Sequence, residues 1–128
     1  MQGEAGVYPW DPDTLYDVAQ FCRKNGLLLI VDEVQSGIFR CGEFPFAFQN
    51  LGITPDIITM AQGHAFWLPR WALALLASRL LKHSEPGDHG STFGGSNLAM
   101  AAAHATLATL SRGHYDDRVT EVGDYFAE

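Results

Sequence analysis

Five apolar residues in a row, Leu27-Leu-Leu-Ile-Val31, meet two carboxylates, Asp32 and Glu33, without a polar break between. A run that short and that unbroken, with no alternation, is the pattern of a strand covered on both faces. The segment before it, Asp11-Pro-Asp-Thr-Leu-Tyr-Asp-Val-Ala-Gln-Phe-Cys-Arg-Lys-Asn-Gly26, carries its own punctuation. Asp11 can accept from the first free amides, Pro12 suits the first helical position, and Gly26 suits a left-handed exit. Leu15, Val18, Ala19 and Cys22 keep the helical period, and Arg23 and Lys24 fall in the last turn, where the dipole favours cations. The spacing predicts a helix over about 12–25. A helix followed by a buried strand is an α/β layer.

Further elements follow the same logic. Asp56-Ile-Ile-Thr-Met60 reads as a second buried strand, preceded by Pro55, which cannot extend a central ladder. Leu73 to Ala77 reads as a third. Beyond the polar, glycine-rich stretch 84–95, residues 97–110 are rich in Ala and Leu and read as a helix capped by Ser96. Residues 116–128 carry a weaker helical pattern. A sheet built from these strands would leave raw edges and apolar helix faces exposed.

Composition narrows the function. The net charge is −7 and the chain has only eight Lys and Arg residues, scattered along it; nucleic acids and acidic membranes demand clustered cations. No apolar stretch approaches the roughly 20 residues of a membrane span, and no leader-like start is visible. Two cysteines, Cys22 and Cys41, make neither a CxxC pair nor a disulfide framework, which fits packed thiols in a reducing compartment.

Asp32 and Glu33 stand where open α/β sheets bind ligands, at the C-terminal end of a strand. An apolar strand ending in Asp-Glu also suits magnesium in nucleotide hydrolysis. That reading needs a GxxxxGK[ST] loop, which the chain lacks. A strand-end Asp can equally do no more than cap a loop. His89-Gly-Ser-Thr-Phe-Gly-Gly95 offers hydroxyls and free amides before a helix, the make-up of an anion cradle or of a simple turn. His83 and His89 lack a neighbouring Cys or carboxylate in ligand register and read as solvated loop histidines.

Taken in order, Gln2-Gly-Glu-Ala-Gly-Val7, the helix, Asp32-Glu-Val-Gln-Ser-Gly37 with Arg40 and Gly42, Gly52-Ile-Thr-Pro-Asp-Ile-Ile58, and His89 to Gly95 resemble the class III aminotransferases of the ornithine, acetylornithine and γ-aminobutyrate type. The resemblance implies part of a fold type I large domain, a mixed, mostly parallel sheet flanked by helices. It implies pyridoxal 5′-phosphate as cofactor, a small-molecule amino donor and a 2-oxo acid as substrates, and a homodimer. Asp32 would pair with the pyridine nitrogen, Val34 would pack on the ring, and Gln35 would bond the phenolic oxygen. Ser91 and Thr92 belong to the phosphate loop, Thr92 reaching the cofactor phosphate of the neighbouring subunit. Glu4 would lie on the substrate side. Family members are much longer, so residues 1–128 are expected to be a piece of the large domain, without the N-terminal segment and the C-terminal small domain. The expected location is the cytoplasm, or the mitochondrial matrix for a eukaryotic parent.

One position departs from the pattern. Where the family has Ala-Lys-Gly, with the lysine that forms the Schiff base, this chain has Ala61-Gln62-Gly63. An amide is neither a nucleophile for that bond nor a proton shuttle. The chain's two lysines, Lys24 and Lys82, stand elsewhere. The family continues with small residues, whereas Gly63-His-Ala-Phe-Trp-Leu-Pro-Arg-Trp71 is bulky. Gln62 is therefore a diverged pseudoenzyme's residue, a deliberate replacement, or the start of a misread frame. Reverse translation favours the last. CAA-GGG-CAT-GCN-TTC-TGG-CTT-CCC-CGT-TGG, begun one nucleotide later, reads Lys-Gly-Met-x-Ser-Gly-Phe-Pro-Val-Gly. The second Gly is dictated by Trp67, and Met and Phe are permitted by His64 and Leu68.

Overall fold

The computed structural model describes residues 5–61 and 72–128. Glu4 and Gln62, with the whole run 62–71, lie outside the described residues. The first helix, α1, spans Pro12–Asn25 with Pro12 in its first turn. Its cap is the one the sequence predicts: the Asp11 carboxylate accepts from the Thr14 amide at 2.8 Å and from the Thr14 hydroxyl at 2.7 Å. Gly26 closes it at φ 68°, a left-handed conformation that glycine adopts without a Cβ penalty. The Leu27 amide then donates to the Cys22 carbonyl at 2.9 Å. That bond holds Leu27 to the helix exit, so the strand starts later than the apolar run.

Three strands form one sheet in the order β1-β2-β3: β1 is Ile30–Asp32, β2 is Ile57–Ala61 and β3 is Ala72–Leu76. β1 and β2 are parallel, with Asp32 opposite Thr59; β2 and β3 are antiparallel, with Ala61 opposite Ala72. The sheet is therefore mixed. A 3-10 turn, Ala47–Leu51, links the two parallel strands and contacts α1. The short α2, Ser78–Leu81, follows β3; α3 spans Asn97–Leu110 and α4 Tyr115–Ala127. Ser96 flanks α3 but its side chain makes no capping bond, contrary to the sequence reading.

Burial differs from the expectation for β1. Ile30 is 59% exposed, and Leu27 and Leu28 also face solvent. An unbroken apolar run marks a strand that both faces of an assembled sheet would cover, and among the described residues no layer covers it. Phe21, Leu98, Leu107, Tyr125 and Phe126 are exposed in the same way. Among the described residues the enclosed hydrophobic side chains are Ile53, Met60 and Ala99. No helix among the described residues is long and apolar enough to cross a membrane.

The head of β2 is the best-tied point. Asp56 is buried; its Oδ2 accepts from the Leu29 amide at 2.9 Å, and its Oδ1 pairs with the Arg79 guanidinium. Its backbone amide donates to Leu29 and its carbonyl accepts from Ala77. One residue thus joins the approach to β1, β2 and the exit of β3.

Candidate functional site

Parallel pairing brings the C-terminal ends of β1 and β2 to one edge of the sheet, so Asp32 and Ala61 end on the same side. Beyond Asp32 the chain turns tightly. The Val34 amide donates to Asp32 Oδ1 at 3.0 Å, an Asx-type turn. The Gly37 amide donates to the Glu33 carbonyl at 2.9 Å. Ile38 and Phe39 then adopt left-handed φ values of 58° and 59°; for a β-branched residue such as Ile38 this is a strained conformation.

The turn forms one wall of an open concavity of about 790 Å³. Val34, Gln35 and Phe39 line it from the turn, Ala61 from the end of β2, Leu110 from α3 and Tyr115 from α4. That size falls within the range of small-molecule sites. Asp32 is exposed at the strand end and its Oδ2 has no partner among the described residues, leaving a carboxylate oxygen available to a cationic or N–H group. Val34 is half-buried and Gln35 exposed. The structure places Val34 and Gln35 on the concavity, and Asp32 at the strand end just before them, outside its lining.

Ser91 and Thr92 are exposed in the loop before α3 and do not line this concavity. Gly95 in that loop takes φ 74°. Glu4 and Gln62 lie outside the described residues; Ala61, which does line the concavity, immediately precedes Gln62 in the chain. His83 and His89 are exposed, and the potential ligand atoms that converge belong instead to His114, Asp116 and Asp117.

Glu33 has a different environment from its neighbour. It is 1% exposed, and both of its carboxylate oxygens are engaged by protein donors. The Ser36 hydroxyl donates at 2.6 Å and the Ala47 and Phe48 amides at 3.2 and 2.9 Å. It is thus turned away from the concavity, which removes the second ligand of the Asp-Glu magnesium reading. Burial pushes the Cys41 thiol above its ordinary range, and the Glu33 charge adds to the effect. Both Cys22 and Cys41 are free and half-buried, as the packed-thiol reading expects.

Gly37 shows how tightly the turn is closed. A Cβ there would stand 2.7 Å from the Glu33 carbonyl oxygen, 3.1 Å from Glu33 Cβ and 3.3 Å from the Phe46 ring. Gly37→Ala is expected to cost about 1–3 kcal/mol, since backbone must shift to admit it. Gly90→Ala, with nothing within 4 Å, is expected to be near neutral. Urea midpoints of the two variants check the contrast.

The sequence profile described as Aminotransferase class-III matches residues 1–128, the full chain. The chain belongs to the class III aminotransferases. An acetylornithine aminotransferase of Streptococcus mutans is 44% identical over 128 residues, all of this chain and 33% of that protein. One of Corynebacterium efficiens is 46% identical over the same 128 residues, 31% of its length. An ornithine aminotransferase from Toxoplasma gondii, whose structure has partial occupancy of PLP at the active site, superposes with a TM-score of 0.88 at 35% identity. That match covers 98% of this chain and 29% of the other. This class III aminotransferase chain thus spans about a third of the length of its curated relatives, and its mixed sheet and helices are part of the fold type I architecture.

Sequence reasoning missed Glu33 as a structural anchor and Asp56 as the junction of the sheet. Apart from Ser36, the donors to their carboxylates lie 14 to 27 residues away in sequence. Two weak signals existed: Ser36 three residues after Glu33, and an Asp placed directly between Pro55 and an apolar strand.

Proposed function

We propose that residues 1–128 are a section of the pyridoxal 5′-phosphate-binding large domain of a class III aminotransferase, and that this chain holds the cofactor without the covalent link that turnover needs. The observation that supports the reading is that Val34 and Gln35 share one concavity with Ala61, the last residue before Gln62, at the edge of the sheet where Asp32 ends β1. These residues fit the group. The open Oδ2 of Asp32 suits a protonated pyridine nitrogen, the Val34 side chain offers apolar surface to a ring face, and the Gln35 amide can bond a phenolic oxygen. When bound, the cofactor supplies an electron sink for charge developing at a substrate α-carbon.

In the parent reaction an amino group passes from a small-molecule donor to a 2-oxo acid. Asp32 holds the proton on the pyridine nitrogen through its negative charge. Ser91 and Thr92 face the phosphate, Thr92 that of the second subunit in a homodimer, in keeping with their position away from this chain's concavity. Glu4 acts on the substrate side. The amide of Gln62 can neither bond the cofactor covalently nor move a proton at the substrate carbon. The chain is therefore inactive as a transaminase. Its two free cysteines fit the reducing cytoplasm.

Purified chain titrated with pyridoxal 5′-phosphate is expected to bind reversibly, to release the cofactor on dialysis, and to transaminate no donor. Borohydride treatment that fixes the cofactor at residue 62, or measurable turnover, would overturn the reading. A binding module that has lost its chemistry through divergence predicts the same behaviour. The shifted-codon sequence Lys-Gly-Met-x-Ser-Gly-Phe-Pro-Val-Gly favours a local frameshift over it. Sequencing the gene across codons 62–71 decides between the two: codons incompatible with that shifted series leave divergence.

A further inference from the structure

Glu33 is the most enclosed large side chain among the described residues, and no step of the proposed function uses it. Its neighbours explain what it does. The Glu33 amide donates to the Thr59 carbonyl at 2.8 Å, extending the β1–β2 pairing past Asp32. Its carbonyl accepts from Gly37 and so closes the turn. Its side chain takes the Ser36 hydroxyl from that same turn and the Ala47 and Phe48 amides from the start of the 3-10 turn. Three separate pieces of backbone therefore meet on one residue, and Val34 and Gln35 lie inside the loop it closes.

We propose that Glu33 is a positioning residue: it fixes the direction in which Asp32, Val34 and Gln35 leave the end of β1, and so sets the cofactor seat. The inference rests on the reading of that edge as the seat. Remove the Glu33 carboxylate and two part-buried amides and a buried hydroxyl lose their acceptor together, which costs each of them its hydrogen bond in a partly desolvated setting. The turn must then open to bring water to them, and Val34 and Gln35 move with it. The Gly37 contact leaves little room for a rearranged closed form, since even a methyl group there meets the Glu33 carbonyl.

The test uses the full chain with Glu33→Ala and Ser36→Ala. Site-resolved amide exchange is expected to accelerate at least tenfold at Val34 to Gly37, Ala47 and Phe48 in Glu33→Ala, while the amides of α3 keep their protection. Ser36→Ala, which removes one of the three bonds, is expected to move the turn amides in the same direction by less, and it serves alone if the first variant does not fold. The dissociation constant for pyridoxal 5′-phosphate is expected to rise at least tenfold in Glu33→Ala. Unchanged exchange at 34–37 in both variants overturns the proposal, as does equal acceleration throughout α3 and the sheet, which marks a general loss of stability. If the unaltered chain does not bind the cofactor, the seat reading fails, while the exchange data still report whether Glu33 holds the turn.

Discussion

Asp56→Ala is expected to destabilise the chain by about 2–3 kcal/mol, read as a fall in the urea midpoint. The larger part comes from the Leu29 amide, which the Asp56 carboxylate accepts at 2.9 Å in a part-buried setting and which would be left without an acceptor. The ion pair adds little, because the Arg79 side chain is 63% exposed and water screens it. Asp56→Asn keeps an acceptor oxygen for Leu29 and is expected to cost about 1 kcal/mol. The pH dependence separates the two contributions. Burial by itself raises the Asp56 pKa, but the Leu29 amide and the Arg79 guanidinium outweigh it and hold the carboxyl below its ordinary range. A folded pKa below the unfolded one means stability that is present above the unfolded value of about 3.9 and lost as pH falls through the folded value. The urea midpoint of the unaltered chain is therefore expected to drop below about pH 4, and Asp56→Asn to flatten that drop. An Asn variant with the same acid slope would show that Asp56 does not carry it.

The contrast between α1 and Glu33 explains what was legible in the sequence. The ends of α1 follow from Asp11, Pro12 and Gly26, whose effects act within three or four residues, and both boundaries lie where those signals put them. β2 and β3 each begin and end within a residue of the expectation, since a short apolar run and the placement of a proline are also local. β1 departs from the expectation because burial is not local: Leu27 and Leu28 are apolar, yet what covers them must come from another layer. Ser96 has the chemistry of a cap, but no bond from its side chain forms. In the candidate site, Asp32, Val34 and Gln35 are adjacent in sequence and remain together in space. That Ala61 joins Val34 and Gln35 at the concavity depends on the parallel pairing of β1 with β2, which no local sequence signal states.

Gln62→Lys is the substitution expected to change the chemistry most. The altered chain, incubated with pyridoxal 5′-phosphate and reduced with borohydride, is expected to gain one covalently fixed pyridoxyl group at residue 62, where the unaltered chain gains none. The reason is chemical before it is structural: a lysine amine is a nucleophile toward the cofactor's aldehyde and a carboxamide is not. The place matters as well, because residue 62 directly follows Ala61, which shares a concavity with Val34 and Gln35. A lone lysine would still be followed by His64, Phe66, Trp67 and Trp71, where the family resemblance calls for small residues. A second chain carrying Lys-Gly-Met-Xaa-Ser-Gly-Phe-Pro-Val-Gly over 62–71 is therefore expected to label faster than Gln62→Lys alone. Peptide mapping must accompany the measurement, since Lys24 and Lys82 are the chain's only other side-chain amines. Labelling confined to those two lysines in both variants would show that this edge of the sheet is not the seat, and the assignment of Asp32, Val34 and Gln35 would fall with it.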